Sequence, residues 1–114
     1  MVRKGLYSIE LSRGGRATGS RLVVSLSNSS PILMSVGNAV FVAKLIRSCL
    51  AGGRGDTVLL EDGQTLNIGP GDSSSNIYVE LEAFDPFSVY VAIEIAADFA
   101  TELENCIELS RTPA

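Results

Sequence analysis

Apolar and polar positions alternate with a period of two through several stretches of the chain. Tyr7, Ile9 and Leu11 alternate with Ser8 and Glu10, and Leu22, Val24 and Leu26 alternate with Val23, Ser25 and Ser27. That is the period of a half-buried strand. Between the two runs, residues 12–20 have turn chemistry. A long-looped hairpin that pairs Leu11 with Leu22 and Ile9 with Val24 puts both apolar rows on one face.

Further along, 57–61 and 64–68 flank Asp62-Gly63, a dipeptide that favours a two-residue type I′ turn, so a second hairpin is predicted. Residues 69–75 contain no side chain worth burying and read as a loop. Beyond it Ile77, Val79, Leu81 and Ala83 alternate with Tyr78, Glu80 and Glu82. Phe87, Val89, Val91, Ile93 and Ile95 alternate with Ser88, Tyr90, Ala92 and Glu94. Two long strands, 77–83 and 87–95, are expected, with Val79, Leu81, Val89, Val91 and Ile93 buried. Turning around Phe84-Asp85-Pro86 pairs Leu81 with Val89 and Val79 with Val91, and sets Glu80 opposite Tyr90. Pro86 cannot supply positive φ, so the loop is expected to be wider than three residues.

Helical spacing replaces alternation in two places. Ala39, Val42, Ala43, Ile46, Cys49 and Leu50 share a helical face that Gly52-Gly53 ends, predicting a helix over 38–50, with 32–36 either leading into it or extended. Asp98 suits the cap of a second helix over 98–110 with Phe99, Leu103, Cys106 and Ile107 on one face, against an edge-strand reading of the same residues. The expected fold class is therefore α+β: one domain over 1–114, with an antiparallel sheet of five to six strands in several hairpins packed with one or two helices. No internal repeat is legible.

Composition adds limits. At 114 residues, 46% apolar and 19% charged, the chain has the material for one core and is unlike a disordered chain. No apolar run approaches the roughly 20 residues of a bilayer span. The first ten residues lack the uninterrupted apolar region of a signal peptide, so a cytoplasmic location is expected. Cys49 and Cys106 have apolar neighbours and no metal-ligand spacing, and read as reduced, buried, quiet thiols; a bridge between them depends on geometry that sequence does not give.

The chain has no histidine, which removes Ser-His-Asp and Cys-His catalysis and the commonest metal ligand. Gly14-Gly15, and Gly52-Gly53 with Gly55, match no phosphate-loop fingerprint. Arg54-Gly55-Asp56 reads as a turn, and Arg13-Gly14-Gly15-Arg16 is a single unit of an RNA-binding tract. Charge is more telling. Residues 1–54 hold eight of the nine cationic side chains against one acid, a net of +7, whereas 55–114 hold twelve of the thirteen acids against Arg111, a net of −11. Placed on different surfaces, the halves make a strong dipole that steers encounter; interleaved in one sheet, they cancel.

These readings favour a non-enzymatic protein-binding module with no cofactor: an inhibitor or immunity-type protein that blocks a basic partner such as a nuclease. Tyr78, Glu80, Glu82, Tyr90 and Glu94, on the outward face of the long hairpin, are the predicted partner-binding residues. The alternatives are a self-assembling subunit that uses its charge-complementary halves, giving a homo-oligomer, and a metal-dependent enzyme built on Glu80, Glu82 and Glu94. Direct nucleic-acid binding through Arg3, Lys4, Arg13, Arg16 and Arg21 must overcome an acidic remainder.

Overall fold

A computed structural model describes residues 2–3, 7–12, 19–26, 30–83 and 86–111. Four strands, β1 (Val2–Arg3), β2 (Tyr7–Ser12), β3 (Arg21–Leu26) and β4 (Ile32–Ser35), lead into helix α1 (Val36–Leu50). Four more, β5 (Asp56–Leu59), β6 (Thr65–Pro70), β7 (Asn76–Glu82) and β8 (Phe87–Ala92), lead into α2 (Ile93–Ser110). The class is α+β with antiparallel pairing, as the alternation predicts. The single sheet of five to six strands is corrected: there are two four-stranded sheets, ordered β1-β2-β3-β4 and β5-β6-β7-β8. The division follows from α1, which carries the chain away from β4 before β5 begins.

The connectivity of four strands and a helix thus occurs twice, although no internal repeat is legible in the sequence. Both helices lie against both sheets: α1 packs on β3 and β4 of the first and on β5 and β6 of the second, α2 on β2 of the first and on β7 and β8 of the second, and the helices pack on each other. Inner rows of both sheets line one core. Val24 and Met34 from the first sheet and Leu66 and Val79 from the second meet Phe99 of α2 around a residual cavity of about 20 Å³.

The first hairpin has the predicted register, Ile9 opposite Val24 and Leu11 opposite Leu22. Its loop over 13–18 lies outside the described residues. The 32–36 segment is extended up to Ser35, and the helix starts there and not at Asn38, because the Ser35 hydroxyl accepts from the Asn38 N–H at 3.0 Å. Its far end is a Schellman cap: Gly52 at φ 87° lets the Gly53 N–H reach the Ser48 carbonyl at 2.8 Å and its own reach Cys49 at 3.1 Å.

The second hairpin forms, but not through a two-residue turn. Leu60 N–H donates to the Gln64 carbonyl and Gly63 N–H to that of Leu60, leaving a three-residue loop with Gly63 at φ 89°. The following loop is shorter than expected, because β6 runs on to Pro70, which pairs with Ile77.

The long hairpin departs most from expectation. Leu81 lies opposite Phe87, Val79 opposite Val89, Ile77 opposite Val91 and Tyr78 opposite Tyr90, a slip of two residues from the predicted pairing. Its second strand stops at Ala92, and residues 93–110 are helical, five residues earlier than the Asp98 start. Ile93 therefore lies half-buried on a helix. Val79, Leu81 and Val91 are buried, while Val89 is half-buried. Asp98 is no cap; it accepts a hydrogen bond from the hydroxyl of Tyr7 on β2 at 2.6 Å, tying α2 to the first sheet.

Each half of the chain builds its own sheet, so the opposite charges do not interleave strand by strand. They meet at the seam, where Arg21 pairs with Glu61 at 3.0 Å and Arg47 of α1 with Glu104 of α2 at 2.8 Å. Cys49 and Cys106 are free thiols, Cys106 buried and Cys49 half-buried; burial pushes both pKa values up. Among the described residues, no helix is long and apolar enough to cross a membrane.

Candidate functional site

Alternation in β5 to β8 leaves one set of side chains on the outer face of the second sheet: Thr57, Thr65, Asn67, Tyr78, Glu80, Glu82, Ser88 and Tyr90. Their inner neighbours Val58, Leu66, Ile68, Ile77, Val79, Leu81 and Val91 fill the core. The strand register then decides which of the outer residues meet. Asn67 stands opposite Glu80, Thr65 opposite Glu82 and Tyr78 opposite Tyr90.

The two carboxylates are held by neutral donors. Asn67 Nδ2 donates to Glu80 Oε1 at 3.0 Å and to Glu82 Oε1 at 3.1 Å. Thr65 Oγ1 donates to Glu82 Oε2 at 3.1 Å, and Tyr78 OH to Glu80 Oε2 at 2.8 Å. The Asn67 amide is oriented in turn, because its Oδ1 accepts from Thr57 Oγ1 at 2.6 Å. The hydrogen bond to Glu80 pushes the Tyr78 phenol pKa up, since it favours the protonated phenol. Neutral donors fix the position of a carboxylate without cancelling its charge, and Glu80 and Glu82 make no ion pair among the described residues.

The tyrosines complete the face. Their ring centroids are 5.3 Å apart at an interplanar angle of 49°, and Tyr90 is 54% exposed. Gly69 lies opposite Tyr78 on the other side, so no side chain crowds that ring from β6.

Of the five residues predicted from sequence, Tyr78, Glu80, Glu82 and Tyr90 come together. Glu94 does not belong with them on a strand, because it sits in the first turn of α2, exposed, where its charge complements the helix N-terminus. The trio Glu80, Glu82 and Glu94 thereby loses the strand face that was to assemble it, and no acid, Cys or His cluster among the described residues is arranged to hold a metal ion. Sequence reasoning missed Thr57, Thr65 and Asn67. Their signal was present, as the polar members of the alternation around Val58, Leu66 and Ile68, but only the register connects them to the glutamates.

Concave features lie elsewhere. A groove of about 270 Å³ runs between the end of α1 and the loop at 71–76, beside Cys49, Gly53 and Ser74. Another, of about 350 Å³, separates Lys44 of α1 from Glu104 and Glu108 of α2. The acidic-aromatic face is a sheet surface, and its residues line neither groove. No family model matches the chain, and no curated protein matches it.

Proposed function

We propose that this chain is a non-enzymatic binding module whose second sheet docks a basic protein, in the manner of an inhibitor or immunity protein. The observation that carries the reading is the state of Glu80 and Glu82: two carboxylates oriented by Asn67, Thr65 and Tyr78 yet without a cation among the described residues, beside an exposed tyrosine. Arg or Lys from a partner supplies the missing charge at no cost in side-chain ordering on this side, and Tyr90 supplies apolar contact area.

Affinity capture from the native host's lysate at low and high salt, using the native chain and a variant with Glu80→Gln, Glu82→Gln and Tyr90→Ala together, tests it. A basic protein retained by the native chain, released by salt and lost with the triple variant supports the reading. For that protein, Glu80→Gln lowers the association rate and Tyr90→Ala raises the dissociation rate. A partner bound equally well by the triple variant shows that the face is merely solvated.

A further inference from the structure

The two sheets end in strands whose outer edges pair with nothing among the described residues. β4 closes one side of the first sheet and β8 the equivalent side of the second. The edge of β5 is partly occupied, since Asn38 Nδ2 donates to the Leu59 carbonyl at 3.1 Å, and β1 is two residues long. β4 and β8 are thus the edges with room for a further strand.

They correspond residue by residue. Each runs directly into its helix, with Ser35 and Ala92 at the N-cap positions, so Leu33 and Tyr90 both lie two residues before the cap. Both are large, point to the outer face and are exposed, Leu33 by 51%. The Ile93 N–H bonds the Ser75 carbonyl at 3.0 Å in continuation of the β7–β8 ladder, so the odd-numbered residues of β8 face β7. The N–H and C=O groups of Ser88, Tyr90 and Ala92 therefore point off the open edge. On the inner side of that edge Phe87 and Val89 remain half-exposed, although they continue the core row.

We propose that copies of this chain associate head to tail by strand addition, β8 of one molecule pairing antiparallel with β4 of the next. Setting Leu33 opposite Tyr90 sets Ile32 opposite Val91, Met34 opposite Val89 and Ser35 opposite Ser88. Every inward apolar residue then meets an inward apolar residue, and the outer face gains a Leu–Tyr cross-strand pair. Charge selects this joint over β8 with β8 or β4 with β4. Like joints bring together two sheet-forming segments of net −7 (residues 55–92) or two of net +4 (residues 1–35), whereas the unlike joint brings opposite charges together. Such a joint is heterologous and propagates to a ring or an open array. It leaves Tyr78, Glu80 and Glu82 on the outer face.

Sedimentation of the purified native chain, with no other protein present, tests the proposal independently of any partner. At roughly 20 mM salt the weight-average mass rises with protein concentration, and at roughly 500 mM it falls back toward the monomer. Leu33→Glu and Tyr90→Lys each weaken association about tenfold or more, because a charge on a sheet edge opposes pairing. Both substitutions in one chain restore it, since the opposite charges then face each other at every joint. A native chain that stays monomeric at all concentrations overturns the proposal, and needs no variant to fold. So does a doubly substituted chain, folded by circular dichroism, that fails to regain association, which is the result a joint between two β8 edges gives. Leu33→Glu lies off the acidic-aromatic face, so loss of self-association with partner capture intact separates the two proposals.

Discussion

The Tyr7 hydroxyl links the first sheet to α2, and its removal in Tyr7→Phe has an effect whose sign depends on pH. Tyr7 is 2% exposed, its ring meets Phe99 edge-on at 5.1 Å, and its hydroxyl donates to Asp98 at 2.6 Å. Phenylalanine keeps the ring contact and removes one charge-assisted hydrogen bond. Such bonds contribute about 1.5 to 3 kcal/mol when buried, but Asp98 is exposed and water replaces the lost donor, so a loss of about 1 kcal/mol is expected at pH 7. Burial, reinforced by the bond to Asp98, raises the Tyr7 pKa well above its ordinary value of 10.0. The folded state therefore holds a proton that the unfolded chain releases near pH 10. The resulting stabilisation is complete below that pH and is lost as pH rises toward the folded-state pKa, at about 1.4 kcal/mol per pH unit. Tyr7→Phe has no such loss. Urea unfolding followed by circular dichroism from pH 7 to 11 checks this: the native chain is the more stable at pH 7, and the two cross at about pH 11. A difference that stays constant across that range would falsify the account of Tyr7 as a buried, hydrogen-bonded phenol.

Two further outcomes are expected. Gly55→Ala lowers the urea midpoint by an amount equivalent to about 2 kcal/mol, because a Cβ there runs into the Ile68 carbonyl and Gly69 backbone of β6; an unchanged midpoint would mean that β5 can move aside. Thiol labelling of the folded protein at pH 8 is slow at both cysteines and slower at Cys106, since burial suppresses both thiolates and Cys106 is the less accessible; rapid labelling of Cys106 would contradict its place in the core.

Alternation located strands well and their limits poorly. The first hairpin has the register that pairs Ile9 with Val24 and Leu11 with Leu22, although a slip that set Leu11 opposite Val24 would have kept the same apolar face. The long hairpin was misaligned by two because a slip of two residues keeps every side chain on its face, so periodicity is blind to it and the turn alone decides. Ile93, Glu94 and Ile95 continue the strand pattern without a break. They become helical because the helix that Phe99 and Leu103 signal extends back through Ala96, burying its face against both sheets, a tertiary demand that residues 93–95 themselves do not signal. The division into two sheets was hidden for a related reason, since a strand's pattern states which face is buried and not which neighbour it pairs with. At the candidate site, Tyr78, Glu80, Glu82 and Tyr90 could be placed on one face from their spacing. Asn67, which organises both glutamates, became visible only through pairing across β6 and β7.

The sharing of both helices between the two sheets constrains how the chain can acquire its structure. The inner row of β2, with Tyr7 and Ile9, is closed by α2, whose covering residues Phe99 and Leu103 leave the ribosome some ninety residues later. Until then α1 can cover β3 and β4 but the β2 side of the amino-terminal sheet lacks its cover, and α1 lacks the strands of the second sheet. The shared core is therefore complete only when both halves exist, and closing it takes contacts distant in sequence. The nascent first half is thus a stage at which apolar surface around Tyr7 and Ile9 lies open to aggregation.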